Sequence, residues 1–156
     1  MKMNNITLIG MPGAGKSTLG VVLAKILGYE FLDSDLLIQK EEKRRLYQII
    51  DEEGEDGFKA IENRVNASIE TENTVIATGG SVVYCSEAME HLKSIGKVVY
   101  LSLSLESLEK RLGNLKKRGV LLKEGKPKEM INLYKKVLVQ MDGDKNKAAG
   151  VEKEGI

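Results

Sequence analysis

Gly10-Met11-Pro12-Gly13-Ala14-Gly15-Lys16-Ser17 is the stretch that decides the fold. It fits the pattern G-x-x-x-x-G-K-[ST] at every required position. A β-prone run at residues 6–9 precedes it, and a helical pattern over 16–27, closed by Gly28, follows it. Glycines let such a loop turn its backbone N–H groups inward around a phosphate, where Cβ atoms would obstruct it. The helix opening at Lys16 adds roughly half a positive charge at the same place. In this pattern the lysine reaches the β- and γ-phosphates and the serine hydroxyl ligates Mg²⁺. The stretch therefore predicts nucleoside triphosphate binding, with the acceptor of any transferred group left open.

Outward from the loop, apolar runs alternate with helical patterns. A second strand is expected at residues 29–32, ending at Asp33, a third at 74–77 and a fourth at 97–103. Helices are expected at 35–44, 46–53, 58–72, 87–94 and 105–112, with a break at 54–57. Strands alternating with helices predict a three-layer α/β/α sandwich around a parallel sheet, of the P-loop NTPase and nucleoside monophosphate kinase kind. A single domain is expected over 1–140, with substrate-binding helices at about 35–72. The Lys-, Arg- and Gly-rich stretch at about 113–127 reads as a mobile loop, followed by a helix at 130–139. Residues 141–156 lack apolar periodicity and are expected to form a poorly ordered tail.

Composition narrows the classes of function. The 156 residues carry a formal charge of +1, so no strong field points to nucleic acid or a membrane surface. The basic run Lys116-Lys117-Arg118 has no interleaved aromatic residues, which again disfavours nucleic acid. One cysteine excludes an internal disulfide framework, and no stretch reaches the ~18 apolar residues a membrane span needs. A short polar N-terminus is unlike a signal peptide. A cytoplasmic, soluble monomer is the expectation. His91 reads as a solvated helix position, and Cys85 as a packed or surface thiol.

Asp33-Ser34-Asp35 stands at the end of the second expected strand, on the edge where ligands bind in such sheets. Two carboxylates on a strand-to-helix turn can serve a metal and a substrate hydroxyl, or one of them can cap the helix. Thr78-Gly79-Gly80 ends the third strand, which by itself reads as a plain strand-ending turn.

Taken in order, the loop with Thr18, then Asp33-Ser34-Asp35, then Gly54-Glu55 with Phe58-Lys59 and Glu62, then Thr78-Gly79-Gly80-Ser81, then Arg111 and Arg118-Gly119-Val120-Leu121, resemble the shikimate kinase family. The resemblance covers roughly residues 5–134. It implies phosphoryl transfer from ATP to the 3-hydroxyl of shikimate. Gly13, Ala14, Gly15, Lys16, Ser17 and Thr18 would then hold the nucleotide, with Arg111 stacked on adenine. Ser17 and Asp33 would serve Mg²⁺. Asp35, Lys59, Gly79, Gly80 and Ser81 would bind the acceptor, and Lys16, Asp35 and Arg118 would act in catalysis, Arg118 from a lid.

Two positions depart from the family pattern. Lys59 stands where an arginine usually follows the phenylalanine, which keeps the charge and loses the bidentate fork. A second arginine, usual in an Arg-x-Pro-Leu-Tyr segment, is missing from Lys135-Lys136-Val137-Leu138-Val139-Gln140-Met141. One codon choice for Lys136 through Met141 encodes Arg-Ser-Leu-Tyr-Lys-Trp when read one base later, so a frame displacement in the gene would account for the tail. With that tail, the family's last strand and final helix are expected to be absent. The departures leave open a related kinase with another acceptor, of gluconate type, and a nucleotide-binding remnant without turnover.

Overall fold

The computed structural model describes residues 4–12, 14–102 and 151–155. Its elements run β1 (Asn5–Gly10), α1 (Lys16–Leu27), β2 (Glu30–Asp33), α2 (Ser34–Glu42), α3 (Leu46–Ala67), β3 (Thr74–Ala77), a 3-10 turn (Val82–Tyr84), α4 (Ser86–Ser94), β4 (Gly96–Ser102) and β5 (Val151–Gly155). Five strands form one sheet in the order β2-β3-β1-β4-β5, and every pairing is parallel. The sandwich expected from the alternating pattern is the fold observed.

Strand side chains alternate between two faces, and each face carries its own core. Ile9, Ile76, Val98 and Tyr100 join Ala88, Met89 and Leu92 of α4 on one side. Leu8, Val75 and Leu101 join Ala24 of α1 on the other. A third cluster, Ile38, Leu46, Ile49, Phe58 and Val65, holds α2 against α3. Buried Asn5 ties the strand entries together. Its amide donates to Thr71 O (2.8 Å) and Ile95 O (3.1 Å), and its carbonyl accepts from Thr74 N (3.0 Å). Each buried backbone group thereby finds a partner where three chain segments meet.

The boundaries differ from the sequence reading at three places. The break expected at 54–57 is a kink at Gly54 (φ 73°, ψ −179°) inside α3, and α3 ends at Ala67 rather than running to 72. The 3-10 turn was not expected. The sequence reading also gave no strand to residues 141–156 and held the outer strand to be absent. Instead, Val151–Gly155 lies beside β4 in register from Val98↔Val151 to Ser102↔Gly155. A ladder is satisfied by backbone groups, so a segment without apolar periodicity can still complete a sheet edge. Gly13, the expected elements and lid at 103–139, Arg111, Arg118 and the Lys135–Met141 run lie outside the described residues.

Sheet order places the site. The chain leaves β1 toward β2 on one side and returns to β4 on the other, so the loops after β1 and β3 flank the point where connections change direction.

Candidate active site

The glycine-rich loop closes tightly on itself before α1 begins. Ala14 N donates to Met11 O at 3.1 Å, and Gly15, in the left-handed region, caps the helix. Lys16 is folded back along the loop, where its Nζ donates to Gly10 O (2.8 Å) and Met11 O (2.9 Å). Lys16 is 8% exposed, and burial lowers the pKa of its ammonium to about 8 against the opposing pull of Asp35, Glu62 and Asp33. Three carboxyl groups, from the end of β2, the start of α2 and the body of α3, therefore act on the Lys16 ammonium at the start of α1. Thr18 lies in the first turn of α1 with an exposed side chain.

Asp33 divides its two carboxylate oxygens between the helix cap and Ser17. Its Oδ1 accepts from the backbone N–H groups of Asp35 (2.9 Å) and Leu36 (3.3 Å), which caps α2. Its Oδ2 accepts the Ser17 hydroxyl at 3.1 Å. Ser17 Oγ and Asp33 Oδ2 thus form an adjacent pair of hard oxygens. Among the described residues no group of three or more His, Cys, Asp or Glu forms a metal cage. A two-oxygen partial site suits Mg²⁺, which keeps several waters and takes the rest of its shell from phosphates.

Asp35 projects from the first turn of α2 toward Gly79. Burial foremost, then Asp33, raises its pKa to about 6, with Lys16 pulling the other way. A Cβ on Gly79 would stand 2.7 Å from Asp35 Oδ1 and 2.7 Å from Glu62 Oε2, so both carboxyl groups face this glycine. A Cβ on Gly80 would run into the Pro12 ring, which presses the β3 turn against the phosphate loop. Glycines are needed here because side chains and loops approach too closely for any Cβ.

Glu62 is the residue that sequence reasoning placed in the motif but gave no role. It is 1% exposed, accepts the Ser81 hydroxyl at 2.7 Å through Oε1, and has no hydrogen-bond partner at Oε2. Burial raises its pKa to about 7, with the Ser81 hydrogen bond opposing. The Ser81 hydroxyl is thereby engaged by Glu62. Cys85 is a buried free thiol 3.7 Å from the same carboxylate, and burial pushes its pKa up to about 12. A charged residue three positions beyond Lys59 on a long helix reads as solvated, and only Ser81 and Gly79, remote in sequence, show otherwise.

Lys59 lies on the same side of α3, one turn before Glu62. Its Nζ pairs with Glu55 Oε1 at 3.1 Å and stands 4.5 Å from the Tyr84 ring centroid. His91, expected to be solvated, is half-buried and hydrogen-bonded through Nε2 to Ile69 O at 2.6 Å. The helix reading was right, but the ring bridges α4 to the segment after α3.

A lysine-bearing phosphate loop at a strand-to-helix junction, beside a Ser–Asp pair and a carboxylate facing a glycine turn, defines a P-loop phosphotransferase. A model of the family described as "Shikimate kinase" matches residues 12–145. The chain belongs to the shikimate kinase family. A shikimate kinase of Persephonella marina is 38% identical over 142 residues, covering 90% of this chain and 87% of the relative. The solved structure of a shikimate kinase from Acinetobacter baumannii in complex with shikimate superposes with a TM-score of 0.72 at 34% identity, covering 97% of this chain and 83% of the other. A gluconokinase from Sinorhizobium meliloti shares the fold at 19% identity and a TM-score of 0.50. Among the described residues no helix is long and apolar enough to cross a membrane.

Proposed function

We propose that this chain transfers the γ-phosphoryl group of ATP to the 3-hydroxyl of shikimate, with Mg²⁺ as the accompanying ion. The observation that carries the reading is the convergence of Lys16, the Ser17–Asp33 pair and the Asp35–Gly79–Glu62 cluster on one edge of the sheet. Donor-side and acceptor-side groups are then within reach of one another, which is what phosphoryl transfer demands of a protein.

In this reading Gly13, Ala14, Gly15 and Thr18 embrace the phosphates with the α1 N-terminus, and Lys16 turns from the loop carbonyls to the β- and γ-phosphates. Ser17 and Asp33 would hold Mg²⁺, which when bound offsets the charge of the phosphate oxygens. Asp35 orients the acceptor hydroxyl and takes its proton; a pKa near 6 leaves it ionised at neutral pH yet more basic than an exposed aspartate. Backbone amides at Gly79, Gly80 and Ser81 would line the acceptor, and Lys59 would meet its carboxylate. Arg118 would close on the γ-phosphate and Arg111 on adenine. The cytoplasm and a monomeric state complete the proposal.

A second reading, a related kinase with another acceptor, draws on Lys59, since a lone ammonium reads a carboxylate less selectively than a guanidinium fork. A coupled ADP-release assay with ATP·Mg²⁺ against shikimate, gluconate and nucleoside monophosphates separates them. Turnover with shikimate alone is expected. Turnover only with a different acceptor would replace the first reading by the second, and ATP binding without turnover would leave a nucleotide-binding remnant.

A further inference from the structure

We propose that Tyr84 is a positioning residue for the acceptor side, its ring holding the Lys59 ammonium on the face of α3 that carries Glu62 one turn later. The inference rests on the reading of Lys59 as the group that meets the acceptor's carboxylate, and it adds a residue that touches no substrate.

An ammonium on a four-carbon stem has many positions open to it, and among the described residues Glu55 and Tyr84 hold that of Lys59. Glu55, one turn earlier on α3, offers a carboxylate at 3.1 Å, but that carboxylate is 44% exposed and the pair is a weak surface one. Glu55 also neutralises the charge that an anionic acceptor would need. The Tyr84 ring, 4.5 Å away at its centroid, attracts the ammonium through its negative face and leaves its charge intact. One partner competes with a carboxylate ligand; the other favours it.

The ring has a firm base. Tyr84 packs against the core cluster under α4, and it ends a 3-10 turn closed by Tyr84 N to Ser81 O (3.0 Å) and Cys85 N to Val82 O (2.9 Å). The Cys85 thiol reaches Lys59 O at 3.7 Å, and Ser81 at the start of the turn holds Glu62. These contacts tie the turn to α3 at 59 and 62 and so set the Tyr84 ring against this stretch of the helix. A planar arginine needs less of this support, because its fork is already organised for a carboxylate.

Lysine side-chain NMR and steady-state kinetics test the proposal together. In the wild-type protein the Lys59 ε-methylene protons, assigned by their loss in Lys59→Arg, are expected upfield of the other lysines through the ring current. Tyr84→Phe should keep that shift and the wild-type KM for shikimate. Tyr84→Leu should abolish the shift and raise the shikimate KM about three- to tenfold, the span that an attraction of this kind supports, while kcat and the KM for ATP stay within about twofold. An unshifted Lys59 signal in the wild type overturns the proposal without any variant. So does an unchanged shikimate KM in Tyr84→Leu, or an equal rise in both KM values, which would mean general loosening. If Lys59→Ala leaves the shikimate KM unchanged, the underlying reading of Lys59 fails instead, whatever the NMR result.

Discussion

Replacing Gly79 with alanine tests whether the two carboxylates meet where the geometry puts them. Gly79 is not among the glycines with positive φ, so alanine suits its backbone. The collision is with side chains: the new methyl would lie 2.7 Å from Asp35 Oδ1 and from Glu62 Oε2, whereas ordinary contact begins at 3.4 Å. Each oxygen must give way by about 0.7 Å, the difference between those distances. Glu62 is 1% exposed and fastened to Ser81 at 2.7 Å, so the half-buried Asp35 is the one that yields. Displacing a catalytic group by ~1 Å costs about 100-fold in rate, or about 2.7 kcal/mol of barrier. Coupled ADP release should therefore show kcat for shikimate down about 100-fold in Gly79→Ala. ATP affinity by calorimetry should stay within about twofold, because the phosphate loop is untouched, and circular dichroism should report a folded protein with Tm lowered by a few degrees. A folded Gly79→Ala protein with kcat within about threefold of wild type would refute the convergence of Asp35 and Glu62 on this turn.

Three further outcomes are expected. Lys16→Ala should abolish turnover with any acceptor, since it removes the phosphate-facing cation; near-normal activity in the same assay would overturn the assignment of the loop. Asp35→Asn should lower kcat by about 10²–10⁴-fold and leave ATP binding almost intact, because a proton acceptor is lost while the loop remains; equal loss of both would make Asp35 purely structural. Glu62 holds its proton to about pH 7 in the fold, well above an exposed glutamate, because burial disfavours its charged form. Its contribution to stability is thus most favourable below about pH 4.5 and declines as pH rises through about 7, by as much as about 3 kcal/mol. Thermal melts should show Glu62→Gln gaining on wild type between pH 5 and 8, and parallel curves would mean that Glu62 ionises without penalty.

Much of this molecule is legible in the chain because local signals agree with global ones. A β-run, a glycine loop with Lys16-Ser17 and a helix closed by Gly28 need no long-range information, and Gly28 caps α1 in the left-handed conformation such a signal implies. Asp33 was legible as metal ligand or cap, and the fold uses its two oxygens for Ser17 and for α2. What escaped depends on contacts between distant segments. Glu62 is buried only because Ser81 and Gly79 arrive from beyond β3. His91 looks solvated until Ile69 O is placed beside it. The strand at Val151–Gly155 carries one apolar residue among two acidic ones, a lysine and a glycine, and its pairing is written in the edge of β4 rather than in its own composition.

The two-handed grip of Asp33 has a mechanical consequence. One oxygen fixes the start of the helix that carries Asp35, and the other, through a 3.1 Å bond, fixes Ser17 at the start of α1. The starts of α1 and α2 therefore share a single pivot. Tilting α2 by more than a hydrogen bond tolerates would drag the start of α1 with it or sever the link. In the proposed reaction, the helix on the donor side and the helix on the acceptor side are thus tied together before either reactant arrives.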